Sequence, residues 1–462
     1  MTQNLGTAEN PLRVAIVGSG PSGFYAAEAL FRSDATVLVD MFERLPAPFG
    51  LVRHGVAPDH AKLKEAIRVY EGIARTPGFR FLGNVSVGRD VTVEDLRRAY
   101  HAVVFCCGAE SDRRLGIPGE DLPGSYTATE FVGWYNGHPD YRDRQFDLSR
   151  EVAVIIGQGN VAIDVCRILA KTVDELKHTD ITEHALEALA ESRIREIHLV
   201  GRRGPAQAKF TTKEFRELGE LSECEPVVDP ADLALNPESL AELEERAGST
   251  AKKNIEVLQG FVSRPSRGCP RRIFLRFLLS PVELKGGDHM ERVVFERNRL
   301  EGPPFQQSAR GTGEHIEQPC GILFRSIGYR GVAIPGVPFD ARQGVFPSRD
   351  GRIVEPSGAA IPGLYAAGWI KRGPTGIIGT NRADGVATVK TLLADLPGLD
   401  SVPKPGADGL VLARGAENHG PVSWNDWLVI DRAEIERGEP RSKPREKFTR
   451  VQEMLAQLKR PT

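Results

Sequence analysis

Two glycine-rich turns lie in the first half of this chain, each where an apolar run passes into a helical pattern. They read VAIVGSGPSG at 14–23 and VAVIIGQGNVAID at 152–164. A turn of this kind between strand and helix lets a pyrophosphate approach the backbone, and the N–H groups at the helix start point toward it. We therefore expect one dinucleotide at each turn.

The first turn carries the three spaced glycines of the dinucleotide fingerprint. We expect Gly18 to make the tight turn, Gly20 to admit the pyrophosphate and Gly23 to let the helix pack closely on the strand. The next strand-like run, 36–43, ends on Glu43, close to the roughly 20-residue spacing of an acid that binds ribose hydroxyls. The alternative is a glycine turn in an ordinary β–α–β unit.

The second turn has Gly157 and Gly159, with Ala162 at the third position. The following strand comes late, after a polar, helix-prone stretch, and ends in Arg202 and Arg203 instead of an acid. Two charge-assisted contacts to a 2′-phosphate, at about 1.5–3 kcal/mol each, would favour NADP over NAD by two orders of magnitude or more. The two turns together suggest a flavin and a phosphorylated nicotinamide. A solvated basic turn is the alternative for the arginine pair.

The length of 462 residues and the composition, 40% hydrophobic and 26% charged, indicate a globular protein with two or three domains. A net charge of −2 argues against nucleic acid as the main partner. The opening MTQNLGTAEN lacks the features of a signal peptide, and no apolar run approaches the ~18 residues of a membrane span. We expect a monomer in the cytoplasm, or in a matrix-like compartment if a presequence has been removed.

Strand-like segments alternate with helical stretches in the first half, which is typical of a parallel α/β fold. Two loops rich in Gly and Pro, after Gly108 and after Gly328, are the expected crossings between domains. We predict two Rossmann-like domains, an NADP domain (109–328) inserted into a discontinuous FAD domain (1–108 plus 329–462). The predicted strands are 12–18, 36–43, 79–82, 102–108, 152–157, 196–201, 273–279, 293–296, 321–327 and 363–367.

The predicted FAD domain ends in an extended tail. Its Pro/Gly-rich stretches are 401–422 and 438–445, and a short helix is predicted at 448–459.

A third motif, GLYAAGWIKRGPTGIIGTN at 363–381, predicts a strand that ends at Gly368 and a helix that begins near Gly376. Backbone N–H groups at that helix start would stabilise the negative charge of a reduced flavin. Trp369 could lie against the ring system. The alternative for Trp369 is a core or interface aromatic.

The order of these motifs resembles that of the adrenodoxin-reductase-type ferredoxin–NADP reductases, and the chain is close to the mycobacterial members of that group. The resemblance covers nearly the whole chain. Further motifs that carry it are APFGLVRHGVAPDH at 47–60, GNVSVG at 83–88, LVGRRGP, FTTKEFREL at 210–218 and RSIGYRG at 325–331. It implies FAD in the outer domain, NADPH in the inserted one, and a ferredoxin, a small iron–sulfur protein, as electron acceptor. Hydride would enter FAD from NADPH and electrons would leave singly.

The resemblance also implies roles for individual residues. The FAD residues it adds to the first turn are Ser22, Glu43, Leu51, Val87, Gly368, Trp369, Gly376, Ile377 and Ile378. The NADP residues it adds to the second turn are Asn160, Val161, Arg202, Arg203, Glu214 and Gly376.

Two further positions, His60 and Glu217, would orient the nicotinamide in this family. The residues themselves leave structural alternatives open. His60 also fits a plain helix start, and Glu214 stands three residues after Thr211, as in a capping box.

The cysteines argue against some rival functions. The six are Cys106, Cys107, Cys166, Cys224, Cys269 and Cys320, without a CxxC or a metal-ligand spacing. Neighbouring cysteines such as Cys106 and Cys107 bridge only with strain, which disfavours a disulfide reductase. The pair departs from the small or aliphatic residues more common in the family. A glutamate-synthase-like subunit would carry cysteine clusters for its own iron–sulfur centres, and this sequence has none. A flavin monooxygenase and a redox-sensing nucleotide-binding protein stay open as alternatives.

A basic run at 264–276, RPSRGCPRRIFLR, is a candidate docking surface for an acidic ferredoxin. An edge strand protected by charge would look the same. The arginines concerned are Arg264, Arg267, Arg271, Arg272 and Arg276.

Overall fold

The computed structural model describes residues 4–245, 249–412 and 419–458. The chain divides into two compact units. Unit 1 comprises Met1–Ser111, Asn136–Pro139 and Gly328–Thr462, and unit 2 comprises Asp112–Tyr135 and Asp140–Ile327. The return of residues 136–139 to unit 1 was not anticipated by the predicted divisions at 108/109 and 328/329.

The strands of the described residues are numbered in chain order. They are β1 Leu12–Val17, β2 Val37–Phe42, β3 Phe79–Leu82, β4 Ala102–Phe105, β5 Ser111–Asp112, β6 Ser125–Thr127, β7 Val152–Ile156, β8 Glu196–Val200, β9 Cys224–Val228, β10 Arg271–Arg276, β11 Leu279–Gly286, β12 Met290–Glu301, β13 Ser308–Pro319, β14 Ile322–Arg325, β15 Tyr329–Arg330, β16 Ser348–Arg349, β17 Arg352–Val354 and β18 Ala360–Ala366.

The α-helices are numbered in the same way. They are α1 Pro21–Phe31, α2 Leu51–His54, α3 Ala61–Lys64, α4 Ala66–Ala74, α5 Val93–Ala99, α6 Ala128–Tyr135, α7 Asn160–Ala170, α8 Val173–Leu176, α9 Glu183–Ala190, α10 Thr212–Glu217, α11 Pro237–Glu245, α12 Thr250–Ser263, α13 Trp369–Arg372, α14 Ile378–Ala394, α15 Trp424–Gly438 and α16 Val451–Leu455. Short 3₁₀ helices lie at Pro139–Tyr141, Pro205–Gln207, Pro230–Leu233, Leu396–Gly398, Gly406–Gly409 and Glu439–Arg441.

Unit 1 is built on a seven-stranded sheet in the order β16-β17-β18-β4-β1-β2-β3. The run from β18 to β3 is parallel, and β16 and β17 add an antiparallel edge. Val14 and Ile16 of β1 pack into one apolar layer, and Ala15 and Val17 pack into another. Both faces of the sheet are therefore covered, as its continuous apolar strands require.

Unit 2 contains a six-stranded parallel sheet in the order β6-β14-β7-β8-β10-β9 and a three-stranded antiparallel sheet, β11-β12-β13. Ile155 of β7 belongs to the larger apolar core of the unit. Its neighbours Val154 and Ile156 pack instead with Leu279 and Phe295 of the antiparallel sheet. The antiparallel sheet thus covers one face of the parallel sheet.

Several strands lack the pattern on which the prediction relied. β9 reads CEPVV and contains Pro226, which is tolerated because β9 is an edge strand. β13, SARGTGEHIEQP, is mostly exposed on both faces, so it shows no apolar alternation. The predicted tail helix at 448–459 is shorter, Val451–Leu455. Residue 459 and residues 413–418 of the predicted tail lie outside the described residues.

Candidate functional site

In the first glycine turn, in unit 1, one glycine has open space where a Cβ would lie, and at the other two that space is occupied by neighbouring atoms. Gly18 has a φ of +105° and donates its N–H to Phe42 O at 2.8 Å, which makes the tight turn. A Cβ on Gly18 would lie 2.6 Å from Cys106 O, and one on Gly23 would overlap Gly18 O. A Cβ on Gly20 would meet nothing within 4 Å. The open position is the one that we expected to admit the pyrophosphate.

Helix α1 begins at this open position. Its N-cap is Gly20, which offers no side-chain bond to the first-turn N–H groups, and Pro21 occupies the first position. Pro21 has no N–H, and Gly23 N–H donates to Gly20 O at 3.0 Å, so the N–H of Ser22 is the first-turn donor left without a capping side chain. A diphosphate fits this arrangement, because it would accept a hydrogen bond from Ser22 and lie at the positive end of the helix dipole.

Glu43, just after β2, is oriented by a residue that sequence reasoning missed. Ser19, whose side chain is fully buried, donates its Oγ–H to Glu43 Oε2 at 2.7 Å and its N–H to the same oxygen at 3.2 Å. Leu45 N–H binds the other carboxylate oxygen at 3.1 Å. The signal was weak, because Ser19 is the unspecified residue between two glycines.

Two other predicted FAD residues flank this region of unit 1. Leu51 begins α2 directly after Gly50, and a Cβ on Gly50 would approach Gly20 Cα to 3.1 Å. The loop before Leu51 is therefore packed against the glycine turn. Val87 forms an isolated bridge with Val91 and packs against an apolar layer of unit 1.

The third motif, at 363–381, is held by a network of polar contacts that the sequence did not indicate. Gly368 has a φ of +77°, and its N–H donates to Asp384 Oδ2. Ser22 Oγ donates to Asn381 Oδ1 at 3.1 Å, and Arg372 Nη2 donates to the same oxygen at 2.8 Å. Because a Cβ on Gly368 would overlap Ser22 Oγ, the two predicted FAD residues Ser22 and Gly368 lie in direct proximity.

Trp369 and the start of α14 differ in detail from the prediction. The Trp369 ring stacks on Tyr329 with 5.5 Å between centroids, and its Nε1–H donates to Thr375 O at 3.2 Å. The helix begins at Ile378 instead of near Gly376, because Gly376 has a φ of +84°. Ile377, the N-cap, is 65% exposed and offers apolar surface to a flat ring.

The second glycine turn, in unit 2, repeats the design of the first. Gly157 has a φ of +133°, and its N–H donates to Val200 O at 2.9 Å. A Cβ on Gly157 would overlap Ser326 O, whereas one on Gly159 would meet nothing within 4 Å. Gly159 is the N-cap of α7 and offers no side-chain bond. A second diphosphate therefore fits beside Gly159.

The arginine pair follows β8 after one intervening residue, Gly201. Arg202 is exposed and Arg203 is half-buried, and neither forms an ion pair with a carboxylate of the described residues. Burial, and then the neighbouring Arg202, lowers the pKa of the Arg203 guanidinium. A phosphate bound here would compensate two like charges that otherwise repel each other.

Helix α10 is attached to the second turn through Asn160. Asn160 Oδ1 accepts the N–H of Thr211 at 2.8 Å, and Asn254 Nδ2 donates to Phe210 O at 3.0 Å. Two asparagines thus hold the peptide group between Phe210 and Thr211. Thr211 is the N-cap of α10 but makes no side-chain cap bond, so the capping-box alternative for Glu214 is wrong.

The remaining residues predicted to bind NADP or to orient its nicotinamide belong to separate units. In unit 2, Glu217 Oε2 lies 3.6 Å from Nη1 of Arg167, a buried residue that sequence reasoning missed and that also pairs with Asp164 at 2.8 Å. Val161 is half-buried in the first turn of α7. In unit 1, His60 is the N-cap of α3 and is half-buried.

All six cysteines are free thiols. Cys106 is buried and Cys107 half-buried, and burial raises the pKa of the Cys107 thiol to about 12. The pKa of Cys106 is also raised by burial. Thiolate is the reactive form, so this pair is poorly suited to disulfide exchange.

Several arginines of the basic run at 264–276 bond to other groups of unit 2, although Arg264, Arg267 and Arg272 are exposed. Arg267 donates to Leu221 O and Cys224 O, Arg271 donates to Ala170 O and Lys171 O, and Arg272 pairs with Glu196. The edge-strand alternative is wrong, because β10 lies between β8 and β9. The docking surface for a ferredoxin stays a prediction.

A search of the described helices found none with the length and apolar character of a membrane span.

Comparisons with known proteins agree with this geometry. The family model "Pyridine nucleotide-disulphide oxidoreductase" matches residues 12–203. The NADPH-ferredoxin reductase FprA of Mycobacterium tuberculosis is 46% identical over 458 residues, which cover 96% of this chain and 98% of the relative. The mitochondrial NADPH:adrenodoxin oxidoreductase of Bos taurus is 44% identical over 470 residues, covering 99% and 94%.

The solved structure of Mycobacterium tuberculosis FprA in complex with NADPH superposes with a TM-score of 0.90 at 46% identity, covering 97% of this chain and 99% of that one. The predicted fold of two Rossmann-like domains is confirmed, and so is the resemblance stated from the motifs. The chain therefore belongs to the family of the NADPH-ferredoxin and NADPH:adrenodoxin reductases.

Proposed function

We propose that this chain is an NADPH:ferredoxin oxidoreductase that uses FAD. The observation that carries the proposal is the pairing of two open glycine turns with different partners, Glu43 after the first and Arg202 and Arg203 after the second. The similarity to reductases of ferredoxin and adrenodoxin along nearly the whole chain supports the same activity. Flavin and NADP(H) chemistry is common to this family.

FAD is assigned to unit 1. The turn of Gly18, Gly20 and Gly23 would take the diphosphate, and Glu43, oriented by Ser19, would take the ribose hydroxyls. The start of α14 would face the electron-rich edge of the ring system. Bound FAD supplies the chemistry that links a two-electron donor, NADPH, to a one-electron acceptor. The proposed FAD residues are Gly18, Gly20, Ser22, Gly23, Glu43, Leu51, Val87, Gly368, Trp369, Gly376, Ile377 and Ile378.

NADPH is assigned to unit 2. The turn of Gly157 and Gly159 would take its diphosphate, and Arg202 and Arg203 would bind the 2′-phosphate. Asn160 uses its Oδ1 to hold Thr211, which leaves its amide N–H groups for the nucleotide. The proposed NADP residues are Gly157, Gly159, Asn160, Val161, Arg202, Arg203, Glu214 and Gly376.

His60 and Glu217 are proposed to orient the nicotinamide end of NADPH. Hydride transfer from a nicotinamide to a flavin depends on how the two rings stack and align more than on acid–base groups of the protein, because the cofactors carry the chemistry. Glu217 Oε2 lies 3.6 Å from Arg167 Nη1, so the guanidinium attracts the carboxylate. Replacement of either His60 or Glu217 is therefore expected to slow reduction of the flavin without abolishing it.

The test is the rate of cytochrome c reduction by the purified yellow protein, with NADPH or NADH and with or without an added ferredoxin. The expected result is a rate that depends on ferredoxin and strongly prefers NADPH. A rate that ignores ferredoxin would contradict the acceptor assignment. Oxygen consumption coupled to an organic substrate would favour a flavin monooxygenase, and negligible turnover with any acceptor would favour a redox sensor.

The role of the arginine pair has its own test. Arg203→Ala should raise the KM for NADPH roughly 10- to 100-fold and leave the NADH kinetics unchanged, because one charge-assisted contact of about 1.5–3 kcal/mol is lost. Arg299→Ala, which removes a surface arginine paired with Glu301, is the matched control. Equal effects on both nucleotides would show that Arg203 is not a phosphate ligand.

The partner is proposed to be a ferredoxin-type iron–sulfur protein, and its downstream pathway is left open. The monomeric state and the cytoplasmic location stay predictions from the sequence. Light scattering after gel filtration tests the first, and cell fractionation tests the second.

A further inference from the structure

Residues 201–203, which contain the arginine pair, are called the arginine turn. Its backbone is held by hydrogen bonds at three consecutive carbonyls. Gly201 O accepts the N–H of Leu279 at 3.0 Å, and Arg203 O accepts the N–H of Leu278 at 3.1 Å. Between them, Arg202 O accepts Nδ2 of Asn298 at 2.9 Å. The donors at 278–279 lie at the start of β11, and Asn298 lies in β12.

The donor side of this contact is itself fixed. Asn298 is 5% exposed, and its Nδ2 also donates to Ser280 Oγ at 2.8 Å. Its backbone N–H donates to Leu278 O at 2.7 Å. Leu278 has a φ of +55°, a conformation that a leucine keeps only where its surroundings impose it. Asn298 therefore connects the arginine turn, the start of β11 and β12.

Asn298 also sits where the pairing of β12 changes. The register between β12 and β13 shifts between Glu296 and Asn298. Bulges of this kind re-aim side chains beside functional sites. Here the register shift lies next to the buried Asn298. Its side-chain amide, and not a backbone group of the sheet, donates the hydrogen bond to Arg202 O.

The turn presents two cationic side chains on a rigid backbone. Arg202 is exposed and Arg203 half-buried, and no carboxylate of the described ranges is in an ion pair with either. Long arginine side chains lose rotamer entropy when they bind, so a fixed backbone lowers the cost of placing both guanidinium groups on one phosphate.

We propose that Asn298 is a positioning residue for nucleotide selectivity, which acts by fixing the carbonyl of Arg202 so that the arginine pair meets a 2′-phosphate. The inference rests on the proposed NADPH preference and deepens it. Asn298 does not touch the nucleotide in this proposal. The antiparallel sheet β11-β12-β13 thereby acquires a role in recognition as well as in packing.

The test compares two ligands that differ only in the 2′-phosphate, 2′,5′-ADP and 5′-AMP, by calorimetric titration of the FAD-loaded protein. Wild type should bind 2′,5′-ADP more tightly. Asn298→Ala should reduce that preference roughly five- to tenfold, the size of one weakened charge-assisted contact, with the affinity for 5′-AMP unchanged. In steady-state assays, KM for NADPH should rise while kcat and the NADH kinetics stay within about twofold.

The matched control is Asn10→Ala in unit 1. Asn10 is buried, and its Nδ2 donates to the backbone carbonyl of Ser401 at 2.8 Å, so the substitution removes the same kind of contact elsewhere. It should leave both affinities unchanged. Equal losses for both ligands in folded Asn298→Ala, or no loss for either, would overturn the inference.

A second variant keeps the inference testable if Asn298→Ala does not fold. Ser280→Ala keeps Asn298 and removes the hydroxyl oxygen that accepts its second amide hydrogen bond, so the amide is held less firmly against Arg202 O. It should reduce the preference for 2′,5′-ADP in the same direction, and an unchanged preference in the folded variant would overturn the inference. If wild type itself shows no preference for 2′,5′-ADP, the proposed NADPH selectivity fails, which is a separate outcome.

Discussion

Glycines in the two fingerprint turns serve opposite physical needs. At Gly18, Gly23 and Gly157 the space for a Cβ is already taken by backbone oxygen atoms. At Gly20 and Gly159 the space is open, although these two belong to the same motifs. The first set is therefore needed for folding, and the second set is proposed to serve ligand binding.

Alanine variants of unit 1 separate these two needs. Gly23→Ala should destabilise the protein by about 3 kcal/mol, because its Cβ would overlap Gly18 O. Gly20→Ala should fold normally and lose FAD, because its Cβ enters space reserved for the diphosphate. Thermal unfolding and flavin absorbance after gel filtration measure the two effects. Retention of FAD by Gly20→Ala would count against the diphosphate site.

His198 makes the stability of unit 2 sensitive to acid. It is buried in β8 and stacks on Phe274 at 4.7 Å between centroids. Burial, and then Arg276, lowers its pKa from 6.5 to about 4, although Glu196 opposes the shift. The unfolded chain takes up a proton below pH 6.5 that the folded chain accepts only near pH 4. Stability is therefore complete above pH 6.5 and is lost as the pH falls toward 4.

His198→Phe should flatten this pH dependence while keeping the stack on Phe274. Between pH 6.5 and 4, wild type should lose on the order of 3 kcal/mol more of its free energy of unfolding than the variant. Urea denaturation at a series of pH values measures the difference. His178→Asn, at an exposed histidine, should follow wild type. Parallel curves for wild type and His198→Phe would exclude His198 as the source.

At the scale of elements, close helix packing depends on small residues. Helices α1 and α14 of unit 1 meet at Gly385, where a Cβ would lie 3.2 Å from Ala26 N. Helix α12 of unit 2 contains Gly260, where a Cβ would meet nothing within 4 Å. The same residue type is thus required in one helix and costly in the other.

Alanine at these two positions should change stability in opposite directions. Gly385→Ala should destabilise by about 1–2 kcal/mol, because the clash is with backbone and exceeds the gain in helix propensity. Gly260→Ala should stabilise by up to about 1 kcal/mol. Denaturant midpoints of the two variants measure both effects. Stabilisation by Gly385→Ala would mean that α1 and α14 can separate at little cost.

At the scale of the whole molecule, unit 1 is closed by its own C-terminal segment. Val422 pairs with Gly83 beside β3, and Trp427 of α15 is 1% exposed. Arg53 of α2 forms a buried ion pair with Glu434 of α15 at 2.5 Å, and its guanidinium lies 5.2 Å from the Trp427 ring. Residues far apart in sequence therefore stabilise the same unit.

Arg53→Met tests that closure. It leaves Glu434, which is fully buried, without its closest cation, and breaking a buried pair in this way costs about 3–5 kcal/mol. Urea denaturation followed by tryptophan fluorescence measures the loss. Arg32→Met, at an exposed arginine paired with Glu28, should change stability by less than about 0.5 kcal/mol. Similar results for both variants would contradict a structural role for the buried pair.

The central strands of both parallel sheets and both glycine turns could be predicted from the sequence, because their signals are local. An apolar run buried on both faces marks β1 or β7 by itself. Strands without that pattern were missed, among them the proline-containing edge β9 and the exposed β13. The start of α14 was placed two residues early, because only the backbone conformation of Gly376 defines it.

The sequence by itself determined the two glycine turns, the acid and the arginine pair on which the proposed nucleotide assignment rests, and the family. Each of these depends on residues a few positions apart. Only the tertiary structure decided which hydrogen bonds hold the site residues. These bonds join Ser19 to Glu43, Asn381 to Ser22, Asn254 to Phe210 and Asn298 to Arg202. These hydrogen bonds join positions that lie far apart along the chain, and a single buried amide or hydroxyl leaves no periodic pattern by which its partner could be found.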